Sequence, residues 1–432
     1  MRGNIDGKKT PEQLRNDFWK SDIERGGVIF SQYEEVKRVL HDKDMTWVEQ
    51  RLLDIKRHAI QQTEFYKDYK ETDEFPVVNK MTLIENHDAC LAKEGYQTPT
   101  HISSTSGSTG TPFSVTQDFK KRNRTIADLK VFGELCDYPS HERMVFFRVI
   151  NAKLHRTLEQ EDRENIYYID SSDLGGAHLE EMKKALLDKK PRIVFSYSST
   201  LVELAKYIDR TGIPEEGFSM KSVLTGGEGL SDDNRKLLEK VFGCTVYRRY
   251  SDMELGILGQ DMGNGSEYIL NWGSYYFETL KLDSDEPAEL GEAGRIVITD
   301  LFNYAFPMIR YDTGDLGVLD KSNPNELPKL KEIYGRVRDC VYTTDGRLIS
   351  PAKVFVMMWG SEGVKQWQFI QETKDNYVLK LNCEKDVDVD SYVEKFKGLM
   401  GENANIEVQL VDEIPVTSSN KRRAVVCNYH KE

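Results

Sequence analysis

The stretch Ser103-Ser104-Thr105-Ser106-Gly107-Ser108-Thr109-Gly110-Thr111-Pro112 holds no side chain suited to a core. Every residue from Ser103 to Thr109 is a hydroxyl residue or a glycine. Such a loop is costly to order, but its backbone N–H groups and hydroxyls suit the oxygens of a triphosphate. A Ser/Gly linker is the plainer alternative. The loop's position inside a domain, between a helical region and a strand–helix unit, favours phosphate binding. No Gly-Lys-Ser/Thr follows, so this is not a Walker loop.

Five further motifs follow in order. They are Thr225-Gly226-Gly227-Glu228, Tyr250-Ser251-Asp252-Met253-Glu254, Arg310-Tyr311-Asp312-Thr313-Gly314-Asp315, Gly335-Arg336-Val337-Arg338-Asp339 and Pro415-Val416-Thr417-Ser418-Ser419-Asn420-Lys421. Taken one at a time, four of them have a plain reading: a strand-to-helix turn, a strand end with a solvated acid, a turn acid, and a solvated cation beside Arg422 and Arg423. Together with the hydroxyl loop they cover Ser103 to Lys421, about three quarters of the chain. The set resembles the adenylate-forming enzymes, the acyl-CoA synthetase superfamily. Within it, the chain is most similar to the phenylacetate–CoA ligase branch, which includes adenylating proteins of capsule biosynthesis.

The resemblance implies a role for each position. Ser104, Thr105, Ser106, Gly107, Ser108, Thr109, Gly110 and Thr111 would cradle the phosphates of ATP. Gly226, Gly227 and Glu228 would form the adenine-side loop, where glycines let a flat ring approach the backbone. Tyr250, followed by Ser251 where the family has glycine, would stack on adenine. Glu254 would be the metal ligand, since Mg²⁺ on phosphates takes one or two hard carboxylates. Met253 replaces a family threonine near the α-phosphate. Asp315 would accept both ribose hydroxyls with its two oxygens. Arg336 would contact the nucleotide phosphate or ribose, and Arg338 would stand at the hinge, where the family has Asp or Lys. Lys421 would be the catalytic lysine. Val416 and Asn420 depart from that motif, although Asn tolerates the left-handed backbone of the family's glycine. The acid pocket is expected near Phe146–Arg148, Tyr197–Thr200 and Thr225–Glu228. Some relatives hold a structural zinc after the Tyr…Glu motif. Here Gln260–Trp272 has no Cys or His, and zinc needs about four such ligands, so no zinc is expected.

The implied reaction is attack of a carboxylate on the α-phosphorus of ATP, giving acyl-AMP and pyrophosphate, then transfer of the acyl group to the thiol of CoA. A small domain would rotate between the two steps. One alternative keeps adenylation but joins the acid to an amine in surface or capsular polysaccharide synthesis. Another is a non-catalytic nucleotide-binding homologue, suggested by the departures at Met253, Val416 and Asn420.

These residues need a scaffold. Residues 1–100 read as helical, with Val48, Leu52, Ile55, Ile60 and Phe65 roughly on one face. From Phe113 on, short apolar runs alternate with amphipathic stretches. Strands are predicted at Met144–Ile150, Arg192–Tyr197, Ser222–Thr225 and Thr245–Arg248. Helices are predicted at Asp118–Cys136, Ala177–Leu187, Leu201–Arg210 and Asp232–Phe242. The alternation predicts a layered α/β fold with largely parallel strands, as an N-terminal adenylation domain over 1–334. Residues 335–432 predict a small α+β lid domain. It carries a hairpin turning at Lys374-Asp375-Asn376, a helix at Val389–Leu399 and a strand at Ile406–Val411. The net charge, 59 − 72 = −13, argues against general nucleic-acid binding. No apolar run approaches a membrane span, no secretory leader is apparent, and the six cysteines are too scattered for a disulfide framework. A cytoplasmic protein is expected. The sequence does not indicate an oligomeric state.

Overall fold

The computed structural model describes residues 9–104, 113–149, 156–265, 267–321, 323–336, 341–349, 354, 357–358, 361, 363–384, 387–414 and 423–429. The chain forms two compact units. The first comprises 1–277, 298–311 and 320–331; the second comprises 278–297, 312–319 and 332–432.

In the first unit three helices lead, Pro11–Glu24, Val28–Asp42 and Met45–Gln62. The first starts on a capping box in which Thr10 and Gln13 bond each other's backbone, with Pro11 at the opening position. Five parallel strands follow in the spatial order Ile166–Asp170, Met144–Arg148, Ile193–Tyr197, Ser222–Gly226, Thr245–Asp252. Helices Gly176–Lys189, Ser198–Thr211 and Asp232–Phe242 cover one face, burying Val145, Phe147, Val194, Val223 and Val246 against Leu186, Leu201, Leu204, Leu238 and Val241. Asp232–Phe242 has the bounds predicted from sequence, because both ends are coded locally. Ser231 caps its start and Gly243, at φ 66°, ends it.

Two features differ from the sequence expectation. Ile166–Asp170 is an additional parallel edge strand whose residues are all half-buried; its run Ile166-Tyr167-Tyr168-Ile169 has the β-branched and aromatic character of a strand. Beyond Asp252 the sheet turns antiparallel through Gly256–Asp261 and Tyr268–Leu270.

In the second unit a four-stranded sheet has the order Asn405–Leu410, Asn376–Cys383, Val364–Gln371, Val425–Cys427. The central two strands form the predicted hairpin, and the outer two run parallel to their neighbours. Helix Val389–Met400 packs Phe396 against Phe369 with ring centroids 4.5 Å apart. Among the described residues no helix is long and apolar enough to cross a membrane.

Candidate active site

In an open parallel sheet, ligands bind beyond the carboxyl ends of the strands, where strand order reverses. Here the chain steps outward from Met144–Arg148 to Ile166–Asp170, then returns to place Ile193–Tyr197 on the other side. Pairing sets Phe146 opposite Phe195, Phe195 opposite Leu224, and Tyr197 opposite Gly226. Because Phe147 and Val194 face the helices, the two-residue repeat turns Phe146, Phe195, Tyr197 and Gly226 to the opposite face. Gly226 lies against Phe195, so a Cβ there would come within 3.2 Å of Phe195 Cε2. At Gly227, with φ +74°, a Cβ would come within 2.8 Å of Tyr197 Cε1. Beneath this aromatic shelf, glycine is thus favoured at 227 by its left-handed backbone and close approach, and at 226 by a tight fit against Phe195. Glu228 turns away to a helix: Ser199 N donates to its Oε2 at 2.8 Å, and Ser198 Oγ donates to its carbonyl at 3.1 Å. A carboxylate at the N-terminus of helix Ser198–Thr211 also meets the favourable end of its dipole.

Glu254 sits in a turn built from several directions. The ladder between Thr245–Asp252 and Gly256–Asp261 is irregular between Tyr250 and Ser251, and Tyr250 is only 8% exposed. Asp252 Oδ1 accepts the N–H groups of Leu255 at 2.6 Å and Gly256 at 3.3 Å, which folds the turn. From below, Tyr275 OH donates to the Leu255 carbonyl at 2.5 Å and accepts from Lys121 Nζ at 3.0 Å. Lys121 in turn pairs with Asp300 at 2.7 Å, with both side chains fully buried. Burial, reinforced by the Asp300 and Asp128 carboxylates, pushes Tyr275 well above the ordinary tyrosine range, so its hydroxyl keeps the proton it donates.

At the carboxylate itself, Tyr311 OH donates to Glu254 Oε1 at 2.8 Å. Oε2 has no donor among the described residues. The hydroxyl loop is bracketed by an antiparallel pair, His101–Ser104 and Ser114–Gln117. Ser103 Oγ donates to the Met253 carbonyl at 2.6 Å, and Gln117 Nε2 to the Glu254 carbonyl at 3.4 Å. Ser104 Oγ lies 2.8 Å from Ser114 Oγ, and Phe113 stacks on Tyr311 with centroids 6.3 Å apart. Both ends of the loop are thus anchored beside Glu254, while Thr105–Thr111 lie outside the described residues. Asp252 and Tyr311 stand inside motifs read from sequence but carried no role there, and Tyr275 lay outside every motif.

In the second unit Asp315 lies on Tyr311–Asp320. Gly314, at φ +75°, donates to Asp312 Oδ1 at 2.8 Å, and Asp315 N donates to Thr313 Oγ1 at 3.1 Å. Arg295 braces the turn by pairing with Asp312 at 2.6 Å. Arg336 ends the strand Lys329–Arg336. Arg338 and Lys421 lie outside the described residues.

In the Gln260–Trp272 stretch three polar side chains bond the protein itself. Gln260 accepts from Arg249 at 2.7 Å, Asp261 from Arg248 at 2.9 Å, and Asn271 donates to the Ile257 carbonyl at 3.0 Å. Among the described residues no group of three or more His, Cys, Asp or Glu is placed to hold a metal ion. A single carboxylate such as Glu254 suits a Mg²⁺ whose remaining ligands are phosphate oxygens and water.

The sequence profile of the CapK C-terminal domain matches residues 341–428. Protein CapK of Staphylococcus aureus is 22% identical over 433 residues, covering 92% of each chain. A phenylacetate–coenzyme A ligase of Pseudomonas putida is 25% identical over 169 residues, 38% of each chain. Among solved structures, 2-hydroxyisobutyryl-CoA ligase in the postadenylation state, in complex with R3-HIB-AMP, matches with a TM-score of 0.67 at 17% identity, covering 89% of each chain. That last match is one of fold. The chain is homologous to CapK and to the phenylacetate–coenzyme A ligases, and it is a ligase.

Proposed function

We propose that the protein uses ATP and Mg²⁺ to convert a carboxylic acid to its acyl-AMP and then transfers the acyl group to the thiol of CoA. The observation that carries this reading is the junction at Glu254. There a carboxylate fixed by Tyr311 at 2.8 Å meets both anchors of a hydroxyl-rich loop. Phosphate oxygens on that loop would lie next to Glu254 Oε2, which is where a Mg²⁺ would be held. The metal would neutralise charge on the phosphates as pyrophosphate leaves. Protein groups in this chemistry act by positioning and electrostatics rather than covalently. The loop orients the phosphates, and Gly226–Gly227 with Tyr250 and Ser251 receive the base. Asp315 takes the ribose, while Arg336 and Lys421 stabilise charge on the α-phosphate. A division into an adenylation domain over 1–334 and a lid over 335–432, hinged at Arg338, belongs to the same reading.

A second reading keeps the same adenylation but passes the acid to an amine in surface-polysaccharide synthesis. ATP–pyrophosphate exchange over a panel of carboxylic acids tests the first step. AMP release with CoA, or with an amine, as sole acceptor tests the second. ATP binding without exchange on any acid would instead identify a non-catalytic nucleotide-binding homologue.

A further inference from the structure

The aromatic shelf continues past the glycines to a guanidinium. Extending the pairing of Phe146 with Phe195 by two residues sets Arg148 level with Tyr197, which is itself level with Gly226. Arg148, Tyr197 and Gly226 therefore form one row across the carboxyl ends of three neighbouring strands, on the same face. Two strand spacings, about 9–10 Å in all, separate the first from the last. Below the row, Phe146 packs against Phe195 at 4.6 Å and Tyr168 at 5.5 Å.

The Arg148 guanidinium lies over the rings of Phe146 at 5.2 Å and Tyr168 at 5.9 Å. Two other arginines touch these rings, and both have acceptors. Arg156, over Tyr168 at 5.7 Å, pairs with Glu164 at 3.2 Å. Arg249, over Phe195 at 5.8 Å, donates to Gln260 at 2.7 Å. Arg148 has no hydrogen-bond acceptor and no carboxylate within ion-pair distance among the described residues. A half-buried guanidinium over aromatic faces leaves its fork available to a ligand, and that fork matches a carboxylate with two parallel bonds.

We propose that Arg148 binds a second anionic group on the acid, so that the substrates are short dicarboxylic acids. This rests on the adenylation reading. One carboxylate is activated near the glycines, the hydrocarbon crosses the shelf of Phe146, Phe195 and Tyr197, and the other carboxylate meets Arg148. The length of the row fits an acid of about four to six carbons.

The test is ATP–pyrophosphate exchange with matched pairs, succinate with butanoate and glutarate with pentanoate, on wild type, Arg148→Gln and Arg148→Lys. Wild type is expected to favour the diacid of each pair. In Arg148→Gln the ratio of kcat/KM, diacid over monoacid, should fall roughly tenfold to a hundredfold, as loss of a charged hydrogen-bonded pair predicts. Arg148→Lys should recover part of it. An unchanged ratio in Arg148→Gln, or a wild-type preference for monoacids, overturns the proposal. So does a diacid effect confined to acyl transfer, which would assign Arg148 to the acceptor. If wild type exchanges with none of the acids, succinate and glutarate binding is measured by calorimetry in the presence of a non-hydrolysable ATP analogue. Binding to wild type but not to Arg148→Gln would keep the subsite while the adenylation reading fails. Absence of binding to wild type would sink the subsite.

Discussion

Replacing Gly227 by alanine would place a methyl group 2.8 Å from Tyr197 Cε1, on a residue whose φ is +74°. The left-handed backbone costs alanine about 1–2 kcal/mol, and the lost freedom of the unfolded chain offsets about 0.4–1 kcal/mol of that. The net expectation is about 1 kcal/mol of destabilisation. Gly243 is the matched control: its φ is +66° and nothing lies within 4 Å of its would-be Cβ. Both variants should therefore lose similar stability in urea denaturation. They should differ in activity. Tyr197 is 41% exposed, so its ring can swing out to relieve the contact at little cost in stability, but doing so breaks the shelf. Misplacing a substrate-positioning group by about 1 Å can cost up to about a hundredfold in rate. ATP–pyrophosphate exchange should fall at least tenfold in Gly227→Ala and stay near wild type in Gly243→Ala. Equal loss of exchange in both variants, or full exchange in Gly227→Ala, would refute the argument that Tyr197 and Gly227 together shape the site.

Tyr311→Phe removes the donor to Glu254 while keeping the ring against Phe113. A hydrogen bond to a charged group contributes about 1.5–3 kcal/mol, so exchange should need more Mg²⁺ to reach half its maximum, and an unchanged Mg²⁺ titration would count against Glu254 as the metal ligand. Lys421→Ala should lower acyl-AMP formation on the order of 10²–10³-fold, yet still release AMP when given chemically made acyl-AMP and the acceptor; equal failure with both would show that Lys421 acts otherwise. Burial first, then the nearby Lys130 and Arg15 cations, hold His141 down at about 3. The unfolded chain thus takes up this proton near the ordinary histidine value and the folded chain only near pH 3. Stability should hold above about pH 6.5 and decline as pH falls through that window, by up to about 1.4 kcal/mol per pH unit. His141→Asn also suits the residue's φ of +66° and should flatten the decline in urea titrations at pH 7, 6 and 5; a slope as steep as wild type would assign the decline to other groups.

Much of the architecture could be read from one dimension because it was coded locally. The hydroxyl loop stands out because seven consecutive residues cannot enter a core. Four of the five parallel strands between Met144 and Asp252 stand out because apolar runs alternate there with amphipathic helices. The motifs kept their order and spacing, and their likeness to one superfamily agrees with the homology to CapK and the phenylacetate–coenzyme A ligases. What only the tertiary structure decided is which side chains meet. Tyr311 reaches Glu254 across 57 residues, and Lys121 meets Asp300 inside the core. Glu228, read from sequence as part of a nucleotide loop, holds the start of a neighbouring helix. Arg148 comes into view as a candidate only because strand pairing sets Phe146 beside Phe195 and Tyr197 beside Gly226. Periodicity tells which face of a strand a residue occupies. Its neighbours on that face depend on register and strand order, which are settled by packing between segments far apart in the chain.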